Sequence, residues 1–275
     1  MDDSKVRQAT GHGYTGAVIE HLRLPGAHVS RIMHPPRQRI EPHAHDWPVL
    51  TLYRIGGYRE AGENGEAVFD GPSVVFQPSG AAHADEIGDA GLETLAMTFD
   101  PAWLAPEART ALPQRTYWRP GGVMAAASRR LAALWLAPGA TDTNLRQATS
   151  QFLQRLFANA EAPRRPAWAR EAEVWLYDAT PTADIAARLA RHPAWLARAY
   201  RAWRGEGLSE ALRRRRVERA TLRLRESAAP LAEIAAECGF CDQSHMNRAF
   251  RAVLGRTPLD VRREAVLLRP LAAAG

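Results

Sequence analysis

The chain has 275 residues, close to the upper limit of one domain and, at about 150 residues per domain, suggestive of two. Hydrophobic residues make up 46% and charged residues 24%, two cysteines exclude a disulfide-stapled scaffold, and no apolar run is long enough to span a membrane. The net charge of +6 hides a gradient: residues 1–100 carry 8 basic against 14 acidic side chains and residues 161–275 carry 21 against 14, with arginine supplying all but one of the 36 basic residues.

A basic back half predicts a polyanionic partner, and an acidic front half argues against one there. Asp2 and Asp3 stand where a signal peptide carries basic residues, so the expected compartment is the cytoplasm. Along the chain, the first hundred residues read as short strands. Val49-Leu50-Thr51-Leu52-Tyr53 and Ser73-Val74-Val75-Phe76 are set among turn residues at Gly56-Gly57, Gly62-Glu63-Asn64-Gly65, Asp70-Gly71-Pro72 and Pro78-Ser79-Gly80. Asn64-Gly65 signals a hairpin. Strands at this spacing, without intervening helices, predict a sandwich or a barrel.

After Asp100 the period changes to that of a helix. Met124, Ala127, Leu131, Leu134 and Trp135 fall on one face, following Pro120-Gly121-Gly122. Asp142-Thr143-Asn144 supplies capping chemistry for a second helix, whose stripe is Leu145, Ala148, Phe152, Leu156 and Ala160, widened by Leu153 and Phe157. Residues 101–162 thus read as a helical connector, and the stripe serves either a homodimer contact or packing within the chain. Ala162-Pro163-Arg164-Arg165-Pro166 reads as a linker, because proline denies a helix its backbone donors.

From Ala167 nearly everything reads as helix, and the chain repeats itself. Arg198-Ala199-Tyr200-Arg201-Ala202-Trp203-Arg204-Gly205 matches Arg248-Ala249-Phe250-Arg251-Ala252-Val253-Leu254-Gly255 at an offset of 50, and Ile185-Ala186-Ala187 matches Ile234-Ala235-Ala236 at 49. Each unit, about 182–204 and 231–254, is a helix, a tight turn and a second helix opened by Pro193 or ended by Gly205 and Gly255. This is helix-turn-helix grammar. Between the units Ser209–Glu226 forms a rod containing Arg213-Arg214-Arg215-Arg216; at about 1.5 Å per residue it is roughly 27 Å long. Such a spacer sets two reading helices roughly 34 Å apart, one turn of duplex DNA.

The run from Ile234 through Gly239, Phe240, Gln243, Ser244, His245, Met246, Arg248, Phe250 and Arg251, then Gly255, Thr257 and Pro258, resembles the signature of the AraC/XylS family of bacterial transcription regulators. The resemblance covers residues 167–268, and residues 10–100 are similar to the cupin-like effector domains common in that family. It implies a two-domain fold: an N-terminal all-β cupin-like barrel, a helical linker, and a C-terminal all-α domain with two helix-turn-helix units. It implies sequence-specific binding of double-stranded DNA, control by a small-molecule effector in the barrel, and contact with the transcription machinery. DNA contacts carry over to Gln243, Ser244, His245 and Arg248 in the second unit and to Ala194, Ala197, Arg198 and Arg201 in the first. Two positions depart from the family. Ala190 stands where a turn glycine is usual, and Arg215 where an apolar residue is usual; the latter would expose the rod or move toward phosphate.

Pro42-His43-Ala44-His45 lies just before a strand and Pro78-Ser79-Gly80-Ala81-Ala82-His83 just after one, and both resemble the two cupin motifs. The resemblance implies that His43, His45 and His83 converge, a set that suits Zn, Fe or Ni. The usual cupin glutamate is missing, since Val49 and Leu50 occupy its places, so no metal is required and at most a three-histidine site remains. The expected effector lining is His43, His45, Trp47, Tyr53, His83 and Asp85. Cys238-Gly-Phe-Cys241 has no second pair and reads as packing at a turn. The chain therefore reads as a DNA-binding regulator with no catalytic residues; the competing reading is a metal-dependent cupin enzyme with a helical tail.

Overall fold

The computed structural model describes residues 15–63, 65–69, 71–120, 124–158, 166–178 and 180–272. Asn64, Asp70, Gly121, Gly122, Ala160 and residues 162–165 of the expected linker lie outside these. The chain divides into two units, Met1–Pro163 and Arg164–Gly275.

The first unit contains strands β1 (Ala17–Leu24), β2 (Ala27–His34), β3 (Arg39–His43), β4 (Val49–Ile55), β5 (Tyr58–Gly62), β6 (Gly65–Phe69), β7 (Ser73–Gln77), β8 (His83–Ile87) and β9 (Leu92–Phe99). Then come α1 (Pro106–Thr110), β10 (Tyr117–Pro120), α2 (Met124–Trp135) and α3 (Asp142–Ala158). They build two antiparallel sheets, in the orders β1-β2-β9-β4-β7-β10 and β3-β8-β5-β6. Gly62 pairs with Gly65 across the expected hairpin. The fold is cupin-like, but the described strands do not close into one ring. Instead β10, from beyond Asp100, extends the larger sheet along β7, and the sheets face each other across the interior.

The larger sheet is covered on both faces, which is why β4, β7 and β9 carry apolar runs in place of alternation. Its outer face sets Leu50, Leu52, Phe76, Leu95 and Met97 against Leu131 and Trp135 of α2 and Leu145, Phe152, Leu153 and Leu156 of α3. The stripe on α3 is thus consumed inside the unit, and the surface that sequence offered for a homodimer is not free. Leu153 and Leu156 are fully buried, so truncating either to alanine costs about 2–5 kcal/mol. The cap of α3 lies one residue earlier than expected: Thr141 Oγ1 accepts from the Asn144 N–H at 3.3 Å. Asp142 instead accepts from Trp103 Nε1 at 2.8 Å, tying α3 to the end of β9.

The second unit is helical: α4 (Ala169–Tyr177), α5 (Thr182–Arg188), α6 (Pro193–Arg204), α7 (Leu208–Glu226), α8 (Leu231–Glu237), α9 (Gln243–Leu254) and α10 (Pro258–Ala272). α7 touches all six others, so it is buried on most sides, arginines included. Arg214 donates to Glu206 at 3.0 Å and to Glu218 at 2.9 Å, and Arg215 donates to Glu218 at 2.9 Å. Arg215 therefore neither exposes the rod nor reaches for phosphate. Charge enters this interior because each guanidinium brings a carboxylate with it. The two turns have one geometry on different residues: Gly239 has φ +81° and Ala190 has φ +50°, so the first unit keeps the left-handed turn at the cost of placing a Cβ there.

Candidate DNA interface and ligand cavity

In both helix pairs the buried face of the second helix fixes which face stays uncovered. Leu196 and Tyr200 anchor α6, and Met246, Ala249 and Phe250 anchor α9. At helical spacing this leaves Ala194, Ala197, Arg198 and Arg201 exposed on α6, and Gln243, Ser244, Arg248 and Arg251 exposed on α9. Each helix starts with a side-chain cap. His192 Nδ1 accepts from the Ala194 N–H at 3.2 Å, and Asp242 accepts from the His245 N–H at 2.6 Å. Acceptance at Nδ1 leaves the ring proton of neutral His192 on Nε2, a donor at the helix end that sequence reasoning missed.

His245 is placed differently from the other candidates. Its ring is half-buried edge-on to Phe240, with centroids 5.4 Å apart, and its Nδ1 accepts from the Cys241 N–H at 3.3 Å. It braces the turn, and only its Nε2–H remains for a phosphate. Cys238 is buried and Cys241 exposed, both free. Trp195, at the position matching His245, packs edge-on to Trp168 at 5.7 Å beneath the Arg191 guanidinium. Neither contact shows as a motif, because each depends on which residue faces the turn.

Between the two sheets of the first unit lies a cavity of about 60 Å³ lined by His34, His43, His45, Tyr53, His83 and Asp85, among others. The three expected histidines do converge. One ring nitrogen of each lies within 4.8 Å of the others, and the His43 and His83 centroids are 4.2 Å apart. Pairing puts His43 opposite His83 across β3 and β8. Burial pushes His45 and His83 down to about 4, so both imidazoles are neutral at neutral pH. Trp47 does not join them: it stacks on His28, 6.0 Å between centroids, on the protein surface.

Below the histidines sit two carboxylates, one of which the sequence reading left out. Asp85 faces inward two residues after His83, as strand alternation requires. Glu60 lies directly opposite it on β5, has no solvent exposure, and accepts from Trp118 Nε1 at 2.8 Å. Burial pushes Glu60 up to about 7, and burial together with Glu60 pushes Asp85 up to about 8. Tyr53 and Tyr58 stack beside them at 3.9 Å.

Two helix pairs braced on one rod, each presenting the start of its second helix, define a tandem helix-turn-helix protein. Residues 185–264 match the sequence pattern of a helix-turn-helix domain family. Over 80 residues the chain is 34% identical to the regulatory protein SoxS of Salmonella typhimurium, a match covering 29% of this chain and 75% of that one. It is 40% identical over 81 residues to an AraC-like transcription regulator of Streptomyces antibioticus, and there it spans 27% of the relative's length and 30% of its own. The structure is similar to apo ToxT from Vibrio cholerae over 87% of this chain and 98% of that chain, at 12% identity and a TM-score of 0.40. The chain belongs to the AraC/XylS family of bacterial transcription regulators.

Proposed function

We propose that this protein binds a specific double-stranded DNA site through α6 and α9 and regulates transcription there, under the control of a small ligand held between its two sheets. The observation that carries this reading is the uncovered, arginine-bearing face at the start of both second helices, on a rod of 19 residues or about 28 Å. Arg198 and Arg248 occupy matching places and are suited to guanine edges or phosphates. Gln243 and Ser244 add polar readers to α9, whereas Ala194 and Ala197 offer α6 only apolar contact, suited to thymine methyls. The protein works in the cytoplasm, meets the transcription machinery on DNA, and performs no catalysis; among the described residues no helix is long and apolar enough to cross a membrane.

The histidine triad favours a second reading, a metal-dependent cupin enzyme. The residues fit a transition metal. His43 Nδ1 lies 3.0 Å from the Glu41 carbonyl and His83 Nδ1 lies 3.1 Å from the Ala81 carbonyl. A carbonyl only accepts, so each Nδ1 carries the proton and each Nε2 keeps its lone pair, the tautomer a metal ligand needs. A bound metal would supply a Lewis acid there. Selection of bound DNA from a random pool, followed by footprinting, decides between the readings. Protection of two segments one helical turn apart is expected. No protection, or protection of a single groove, overturns the regulator; turnover of a substrate by metal-loaded protein would establish the enzyme.

A further inference from the structure

We infer that the cavity between the sheets is a site for one divalent transition-metal ion with Asp85 as its fourth protein ligand, and that this ion is the effector. The effector half of that statement rests on the regulator reading above; the ligand set does not.

The cavity is rich in electron pairs and poor in positive charge. The Nε2 of His83 faces the Asp85 carboxylate at 3.9 Å, and by its tautomer that nitrogen is an acceptor. At that distance the two make no hydrogen bond with each other, and a cation between them would take a lone pair from each. Asp85 Oδ1 and Glu60 Oε2 are both buried without a hydrogen-bond partner. Buried carboxylates are ordinarily paired, and no Lys or Arg lines this cavity. A divalent ion held by neutral imidazoles would match two ionised carboxylates in charge. Imidazole with one carboxylate selects Zn, Co, Ni or Fe over Mg or Ca, which prefer oxygen.

Size points the same way. Pockets for organic ligands hold about 300–1,000 Å³. The 60 Å³ here suits an ion and a water. Position explains the ligand set as well. The expected glutamate would have come from β4, where Val49 and Leu50 now stand; Asp85 supplies the carboxylate from β8, on the same strand face as His83. Glu60, one strand further, balances charge without reaching the ion. Zinc-type bonds of about 2.0–2.1 Å place tetrahedral donors roughly 3.4 Å apart. The triad, spread to 4.8 Å, must therefore draw in on binding; His43 is already paired opposite His83, so the movement falls to the side chains and to His45 in the loop after β3. That movement is how occupancy would change the unit's shape.

The test is a titration of the metal-free full chain with Co²⁺, read by its visible d–d bands. One equivalent with the intensity of a four-coordinate site is expected. Asp85→Asn, which keeps shape and removes the charge, should weaken binding at least about tenfold and shift the bands. Glu60→Gln should weaken it less and leave the bands in place. Equal affinity and spectrum in Asp85→Asn would overturn Asp85 as a ligand. Absence of binding, or a thiolate-to-cobalt band placing the ion at Cys238 and Cys241, would overturn the site. Anisotropy with the selected DNA, with and without Zn²⁺, then separates the two halves: unchanged DNA affinity overturns the ion as effector while the ligand set stands. Failure to bind any DNA in either state overturns the regulator reading and leaves the titration result intact.

Discussion

Both units bury acids, and they do so in opposite ways. Among the described residues of the helical unit, the carboxylates buried around α7 are matched to guanidinium groups: Glu206 and Glu218 to Arg214, Glu218 also to Arg215, Glu173 to Arg204. In the β unit Glu60 and Asp85 are buried opposite each other, and no Lys or Arg lines the cavity that Asp85 faces. A compensated network holds a fixed shape for presenting α6 and α9. An uncompensated one stores a deficit that a ligand can fill. One unit thus balances its buried acids with its own arginines, and the other leaves two carboxyls beside a cavity that no Lys or Arg lines.

The contrast predicts opposite signs for removing a buried acid. Glu218→Ala takes away the carboxylate shared by Arg214 and Arg215, and should destabilise the helical unit by about 3–5 kcal/mol. Burial alone would raise the Glu218 pKa, but Arg215 and Arg214 hold it below 4.5. Its contribution is therefore present above pH 4.5 and lost as pH falls through the lowered value. Hydrogen exchange of the α7 amides measures both effects. An unchanged α7 would mean the network contributes nothing.

Glu60→Gln should do the reverse. The folded carboxyl, raised to about 7, holds a proton that the unfolded chain releases near 4.5. Stability of the metal-free β unit should fall as pH rises from about 4 to 8, because Glu60, raised to about 7, and Asp85, raised to about 8, hold protons that the unfolded chain has released. The glutamine keeps an acceptor for Trp118 and carries no charge. It should remove the Glu60 share of that decline and leave the share due to burial of Asp85, for a gain on the order of 2–3 kcal/mol at pH 8. Exchange of the β5 and β8 amides follows it, and a loss of protection at pH 8 would break the comparison.

At the DNA surface the expected effects are smaller. Arg198→Ala and Arg248→Ala should each cost roughly 1–3 kcal/mol in binding to the selected site. Because the start of α6 is apolar around Arg198, its loss should relax specificity in one half-site more than Arg248→Ala does in the other, where Gln243 and Ser244 remain. Equal losses on selected and random DNA would make both residues phosphate anchors.

What the sequence made legible follows the range of the interactions involved. The helix-turn-helix units depend on contacts within about twenty residues, so Ile234, Gly239, Met246 and Phe250 announce themselves by spacing. The histidine triad was legible through its resemblance to the two cupin motifs, with His43 and His45 two residues apart before a strand and His83 after another. Glu60 was not: in Tyr58-Arg59-Glu60-Ala61 alternation alone does not say which face is inside, and β5 turns Glu60 inward only because β8 and β6 flank it. The run Arg213–Arg216 misled for the same reason, since its local pattern is a charged surface while the packing of α7 buries its middle.

The smallest test concerns the two turns, where sequence and geometry disagree most openly. Gly205 and Gly255 end α6 and α9 alike, but the turns inside the pairs sit on Ala190 and Gly239 with the same left-handed sense. An L-residue there costs about 1–2 kcal/mol, and replacing it by glycine returns part of that gain as unfolded-chain entropy. Ala190→Gly should therefore stabilise the first pair by roughly 0.5–1 kcal/mol. Gly239→Ala should cost more than the mirror of that change, because its new Cβ would meet Arg216 Nε at 3.2 Å. Exchange of α5 and α8 amides would resolve the difference. If the two changes proved equal and opposite, the turns would be energetically interchangeable, and Arg216 would have room to yield. If Ala190→Gly instead destabilised, the alanine would be making a contact that outweighs its strained backbone, and the first pair would be held by something other than the shared turn.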